Sequence, residues 1–124
     1  MMLKLQHSLT IGLLTTSLAL GLFGNRAIAN SADVLSETQI SQKLQQLPGW
    51  TQQNNKLVKT FEFDNFVAAV DFVNKLVEPA ESAGHHPDLA INYNQVTVAL
   101  TSHDAGGITE RDFALAEAIS RVAE

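Results

Sequence analysis

Two pairs of short apolar runs, each folded about an asparagine turn and separated by one helical stripe, limit what this chain can become. Leu89, Ile91 and Tyr93 alternate with Ala90 and Asn92, and Val96, Val98 and Leu100 alternate with Thr97, Ala99 and Thr101. Alternation of this kind marks half-buried strands, and Asn94-Gln95 reads as the turn between them. Upstream, Trp50 to Gln53 and Lys56 to Phe63 read as another strand pair about Asn54-Asn55, because asparagine tolerates positive φ. Between the pairs, Phe66, Val67, Val70, Val73, Leu76 and Val77 recur at helical spacing and are expected in the core. Asp64 is the expected cap of that helix, Pro79 should kink or break it, and Gly84 with Pro87 beyond should stop it.

Two further helices flank this centre. Ser36-Glu37-Thr38-Gln39 is a capping box before Ile40, Leu44 and Leu47, with Pro48-Gly49 as the stop. Thr109 caps the last helix, and Asp112 in its third position completes a variant of the same box. The order α-β-β-α-β-β-α predicts an α+β fold, a four-stranded antiparallel sheet with helices packed on one face.

The first residues read as an address rather than as fold. Lys4 precedes an uncharged, mostly apolar run from Ser8 to Gly24, followed by Ala27-Ile28-Ala29, which fits the small-x-small cleavage rule. The run is shorter than the ~20 residues that span a bilayer. Residues 1–29 are therefore expected to be a cleavable signal peptide, and residues 30–124 one exported domain in a periplasm, or a thylakoid lumen in a photosynthetic host. Among 124 residues there is no cysteine, so neither a disulfide nor a thiolate can serve stability or chemistry. Without Lys4 and Arg26 the remaining chain holds 6 basic and 13 acidic residues, a net charge of −7. That balance disfavours nucleic acid and anionic membrane as partners, since phosphates demand a basic patch.

The second strand pair carries the candidate chemistry. A turn centred on Asn94-Gln95 pairs residues whose numbers sum to 189, so that Tyr93 faces Val96, Ile91 faces Val98 and Leu89 faces Leu100. A one-residue slip would mix the apolar and polar faces. Continued outward, this register sets His86 opposite His103, with Cβ atoms ~5 Å apart. His85 lies beside them at the helix end, and Glu81 stands one turn earlier at i and i+4 to it. Three of the four histidines thus converge on one rim. A metal site is one use of such a set, but there is no close helical pair of the HExxH kind, and adjacent histidines rarely ligate one ion. Nucleophilic catalysis lacks a cysteine or a serine elbow, and Gly106-Gly107 is no phosphate loop. Acid–base catalysis by imidazole is the reading these residues favour.

The pattern Glu81-Ser82-Ala83-Gly84-His85-His86-Pro87-Asp88, Tyr93-Asn94, Thr101-Ser102-His103-Asp104 and Asp112 resembles the pterin-4a-carbinolamine dehydratases. Leu47-Pro48-Gly49-Trp50, Phe61-Glu62-Phe63, Phe66 and Phe72 add to the likeness, which runs from Leu47 to about Ala118. The resemblance implies loss of water from a 4a-hydroxy-tetrahydropterin to give the quinonoid dihydropterin, without a metal or redox cofactor, in a homodimer or homotetramer. It implies catalytic roles for His85, His86 and His103, with His85 and His103 as acids on the 4a-hydroxyl and His86 binding the pterin and assisting proton transfer. Glu81, Thr101 and Ser102 would line the pocket. Leu89 departs from the aromatic that some members carry there. A non-catalytic assembly scaffold of the same fold is the alternative, although a scaffold has no physical need of three histidines.

Overall fold

A computed structural model describes residues 33–124. The expected signal segment and its cleavage point lie outside them. In chain order the elements are α1 (Glu37–Leu44), β1 (Thr51–Gln53), β2 (Lys56–Glu62), α2 (Phe66–Lys75), α3 (Val77–Ala83), β3 (Asp88–Asn92), β4 (Gln95–Leu100) and α4 (Glu110–Val122). The strands form one antiparallel sheet in the order β1-β2-β4-β3, so the two hairpins meet through β2 and β4. The α+β class and the four-stranded antiparallel sheet are as read from the sequence.

Alternation builds the core. Leu57 and Phe61 on β2 and Val96, Val98 and Leu100 on β4 are buried on one face of the sheet. Helix α2 lies against β4 and α4 against β2. Phe72 of α2 stacks at 4.9 Å on both Phe61 and Phe63, and Trp50 meets Phe61 edge-on at 6.1 Å. Trp50 also donates its indole N–H to Ser120 Oγ at 2.8 Å, which satisfies its polar edge where the ring is buried. Both expected capping boxes form, Ser36 with Gln39 on α1 and Thr109 with Asp112 on α4.

Three local readings are corrected. Asn65, not Asp64, caps α2: its side chain accepts the Ala68 N–H at 2.9 Å. The central helix breaks, as expected of Pro79, into α2 and α3. Proline at position 79 has no N–H to offer, and its ring would clash with the carbonyl four residues back, which is Lys75, the last residue of α2. The apolar stripe on this segment is only half core. Phe72, Leu76 and Ala80 are buried, but Phe66, Val67 and Val77 are more than half exposed.

The third correction is the register of the second hairpin. Asn92 pairs with Gln95, Ile91 with Val96 and Leu89 with Val98, two residues away from the expected pairing. The turn is Tyr93-Asn94, with Tyr93 at φ 52°. Asn94 selects it: its carbonyl accepts the Phe63 N–H and its side-chain amide donates to the Phe63 carbonyl, both at 2.8 Å. These two bonds clamp the turn to the end of β2, and the left-handed residue becomes the tyrosine before the asparagine. In this register the continuation of the ladder would bring His86 level with Thr101 rather than His103. Strand β3 is one of the two sheet edges, and its inward residues Leu89 and Ile91 stay 39% exposed while their partners on β4 are fully buried.

Candidate active site

His85 owes its position to the way α3 stops. Gly84 adopts φ 58°, ψ 30°, and the helix closes with Gly84 N–H on the Glu81 carbonyl and His85 N–H on the Ala80 carbonyl, each 3.1 Å. This Schellman closure needs a left-handed residue, which glycine adopts without a Cβ penalty. It turns His85 off the helix and toward α4, against which α3 packs.

There His85 meets Asp112. Its Nε2 lies 2.6 Å from Asp112 Oδ1, with the imidazole 11% exposed and the carboxylate wholly buried. Asp112 Oδ2 accepts the Thr109 N–H at 2.8 Å and the Ser102 hydroxyl at 2.9 Å. Ser102 and Thr109 hydroxyls are 2.8 Å apart, and both residues are fully buried. The segment between them is folded back by a bridge of Ser102 to Gly107. Asp112 is therefore both the capping-box partner of Thr109 at the start of α4 and the anchor of His85, and only the box was legible as sequence. Burial of a carboxylate is tolerated here because several donors, one of them an imidazole, compensate its desolvation.

The other residues stand as follows. His86 is exposed and bonds through Nε2 to Glu81 Oε1 at 2.7 Å, so Glu81 pairs with His86 and not, as the helical spacing suggested, with His85. The reason is again the helix end, beyond which i and i+4 no longer share a face. His103 is exposed directly after Ser102 and makes no side-chain hydrogen bond among the described residues. His85 reaches the backbone of His103 through Asp112 and Ser102, which ties the two into one unit without direct contact. Thr101 is half-buried at the end of β4. Ser102 was expected to line a pocket, but its hydroxyl is committed to Asp112 and Thr109 in the interior. After His103, Asp104 takes Arg111 Nη2 at 2.5 Å, and this guanidinium holds the exposed Asp104 carboxyl below its usual value.

Beside His86 lies a hollow of about 190 Å³, floored by Val73, Leu76, Val77 and Ala80 and rimmed by Glu81 and His86. A larger concavity of about 460 Å³ sits at the far end of α4, against Leu47, Lys59 and Arg121. It contains no histidine, and the smaller hollow is the one next to the titratable cluster. Among the described residues no three His, Asp or Glu side chains gather as a metal-ligand set. The arrangement offers one clamped imidazole and two solvent-accessible ones, with an apolar surface beside them.

Comparisons with known proteins agree on one family. A family profile described as pterin 4 alpha carbinolamine dehydratase matches residues 33–122. A protein of Cyanothece sp., provisionally named pterin-4-alpha-carbinolamine dehydratase, is 54% identical over 91 residues, covering 73% of this chain and 94% of its own. A protein of Picosynechococcus sp. with the same provisional name is 58% identical over 82 residues, covering 66% and 89%. Among solved structures, one described as a transcriptional coactivator/pterin dehydratase from Brucella melitensis superposes with a TM-score of 0.71. It is 30% identical and covers 74% of this chain and all of its own.

Proposed function

Since this chain belongs to the pterin-4a-carbinolamine dehydratase family, we propose that it is a hydro-lyase that removes water from a 4a-hydroxy-tetrahydropterin, with His85, His86 and His103 as its catalytic residues. The single observation that carries the reading is the 2.6 Å hydrogen bond between His85 and the buried Asp112, next to two exposed imidazoles. In the reaction the C4a–O bond breaks and the hydroxyl leaves as water, taking a proton from an imidazolium. The N5–H bond gives up its proton to a neutral imidazole, and its electron pair forms the N5=C4a double bond of the quinonoid dihydropterin. Protons and electrons balance without a nucleophile or an oxidant. Positioned acids and bases of this kind typically contribute ~10²–10⁴-fold. In the roles implied by family likeness, His85 and His103 serve the leaving hydroxyl, and His86 with Glu81 and Thr101 holds the ring. The test is absorbance of the quinonoid product from freshly generated 4a-hydroxy-tetrahydropterin. Acceleration over the spontaneous reaction is expected, and a folded protein giving none would remove the dehydratase reading in favour of an assembly scaffold.

Two companion proposals concern the protein's setting. Removal of residues 1–29 would release an exported domain beginning at Asn30, on the strength of the apolar run and Ala27-Ile28-Ala29. Intact mass of the native protein decides this, a membrane-retained full-length chain being the contrary result. Pairing of copies into a dimer or tetramer is supported by the open edge of β3 with Leu89, Ile91 and Tyr93 exposed along it. Sedimentation at micromolar concentration should show it, and a monomer would count against it.

A further inference from the structure

We propose that Ser102 and Thr109 are positioning residues for His85, acting through Asp112 to hold the imidazole as its Nε2–H tautomer with Nδ1 as the one free nitrogen. The inference deepens the dehydratase reading, and rests on it only for the reaction that His85 serves.

Directionality carries the argument. The Thr109 backbone N–H can only donate, so Asp112 Oδ2, 2.8 Å away, must accept. The Ser102 hydroxyl gives its proton to the same oxygen at 2.9 Å. Its oxygen is then free to accept, and the Thr109 hydroxyl gives its proton either to that oxygen at 2.8 Å or directly to Oδ2 at 3.5 Å, toward the carboxylate in both cases. Thr109 Oγ1 in turn accepts the Arg111 N–H, in the first turn of α4, at 3.2 Å. Every proton in the chain from Arg111 to Asp112 therefore points toward the carboxylate. None is left on Oδ2, and a carboxylate that takes two donors on that oxygen can only accept at Oδ1, so the 2.6 Å contact is donated by nitrogen. Nε2 must carry hydrogen in both charge states of His85. Proton exchange with a substrate can take place only at Nδ1.

The network is closed as well as directed. Ser102, Thr109 and Asp112 are wholly buried, so neither water nor a rotated hydroxyl readily substitutes for a missing member. The two hydroxyls do not meet the reacting ring. They keep Asp112 in one rotamer, and Asp112 keeps the imidazole plane. This differs from the pocket-lining part that sequence likeness implies for Ser102.

The experiment is long-range ¹H–¹⁵N NMR of the histidines in the ¹⁵N-labelled full chain at mildly alkaline pH. Wild-type His85 should show protonated Nε2 and bare Nδ1. Asp112→Asn should reverse this: the two donors at the Oδ2 position demand the amide oxygen, which turns the amide NH₂ toward Nε2 and forces the proton to Nδ1. Ser102→Ala and the isosteric Thr109→Val should weaken the low-field Nε2–H resonance or mix the tautomers, and Thr109→Ser should restore the wild-type pattern. A merely structural part for these hydroxyls would lower the unfolding midpoint and leave the His85 nitrogen shifts where they are. If Asp112→Asn does not fold, Ser102→Ala and Thr109→Val carry the test. A wild-type Nδ1–H tautomer, or unchanged His85 shifts in folded Ser102→Ala and Thr109→Val, overturns the proposal. Wild-type protein with the expected tautomer but no dehydratase activity overturns the reaction and leaves the positioning standing.

Discussion

Replacing Asp112 by alanine should destabilise the protein by ~3–5 kcal/mol, far more than loss of a helix cap. The carboxylate accepts from His85 Nε2, Ser102 Oγ and Thr109 N, all within 2.9 Å, and none of it is solvent-exposed. An ordinary cap loss costs ~1 kcal/mol. Here Ser102 Oγ and Thr109 N would also be stranded in the interior, and each unpaired buried donor costs ~1–3 kcal/mol, partly relieved where water enters the vacated space. Removing one partner of a buried pair costs ~3–5 kcal/mol by the same logic. The molecule supplies its own control. Ser36 caps α1 with the same box geometry but in solvent, so Ser36→Ala should cost only ~1 kcal/mol. Urea unfolding followed by circular dichroism compares the two in one titration. Domains of this size are stable by ~5–15 kcal/mol, so the Asp112 variant should fold, with a much lower midpoint. A cost within ~1 kcal/mol of the Ser36 variant would show that the network adds nothing to the cap, and the reasoning from burial would fail.

Further expectations follow from the same geometry. His85→Ala, His86→Ala and His103→Ala should each slow dehydration by ~10–10³-fold and combine non-additively, since groups acting as one unit do not contribute independently; unchanged rates in all three variants would place the site elsewhere. Activity should survive chelator treatment, and loss that one divalent ion restores would revive a metal centre. Asp104 titrates below its usual value because of the Arg111 hydrogen bond. Its small contribution is therefore present above that usual value and fades as pH falls through the lowered one. Arg111→Gln should move the Asp104 carboxyl resonance titration upward, and an unmoved titration would show that the pairing is not populated in solution.

What could be read from the chain divides by range. Both capping boxes, the Gly84 stop and the alternation along β4 are local and formed as their residues dictate, whereas the edge strand β3 is exposed along its whole length. The register of β3 on β4 was missed because side-chain alternation has period two. A slip of one residue reverses the faces and is visible in the sequence, whereas a slip of two leaves every apolar residue on the same side. Deciding between them needed the bonds from Asn94 to Phe63, thirty-one positions away. The expected opposition of His86 and His103 failed with the register, yet His85 and His103 are still drawn into one unit by Asp112. No local pattern announces that link, because it joins the ends of α3, β4 and α4. Burial of Phe66, Val67 and Val77 was overestimated for a related reason: periodicity tells which residues share a helix face, not how far the sheet beneath extends.

The single peptide bond between His85 and His86 separates two regimes of motion. The His86 ring, 63% exposed, can change rotamer on the picosecond-to-nanosecond scale and exchange Glu81 for water at little cost. The His85 ring cannot turn without breaking a buried contact, so its reorientation waits on local opening of the α3–α4 junction, a rarer and slower event. Adjacent side chains of identical chemistry thus divide the labour by clock. In the proposed dehydration, one would supply a fixed reference for the reacting atoms over many turnovers, and the other would adjust within each.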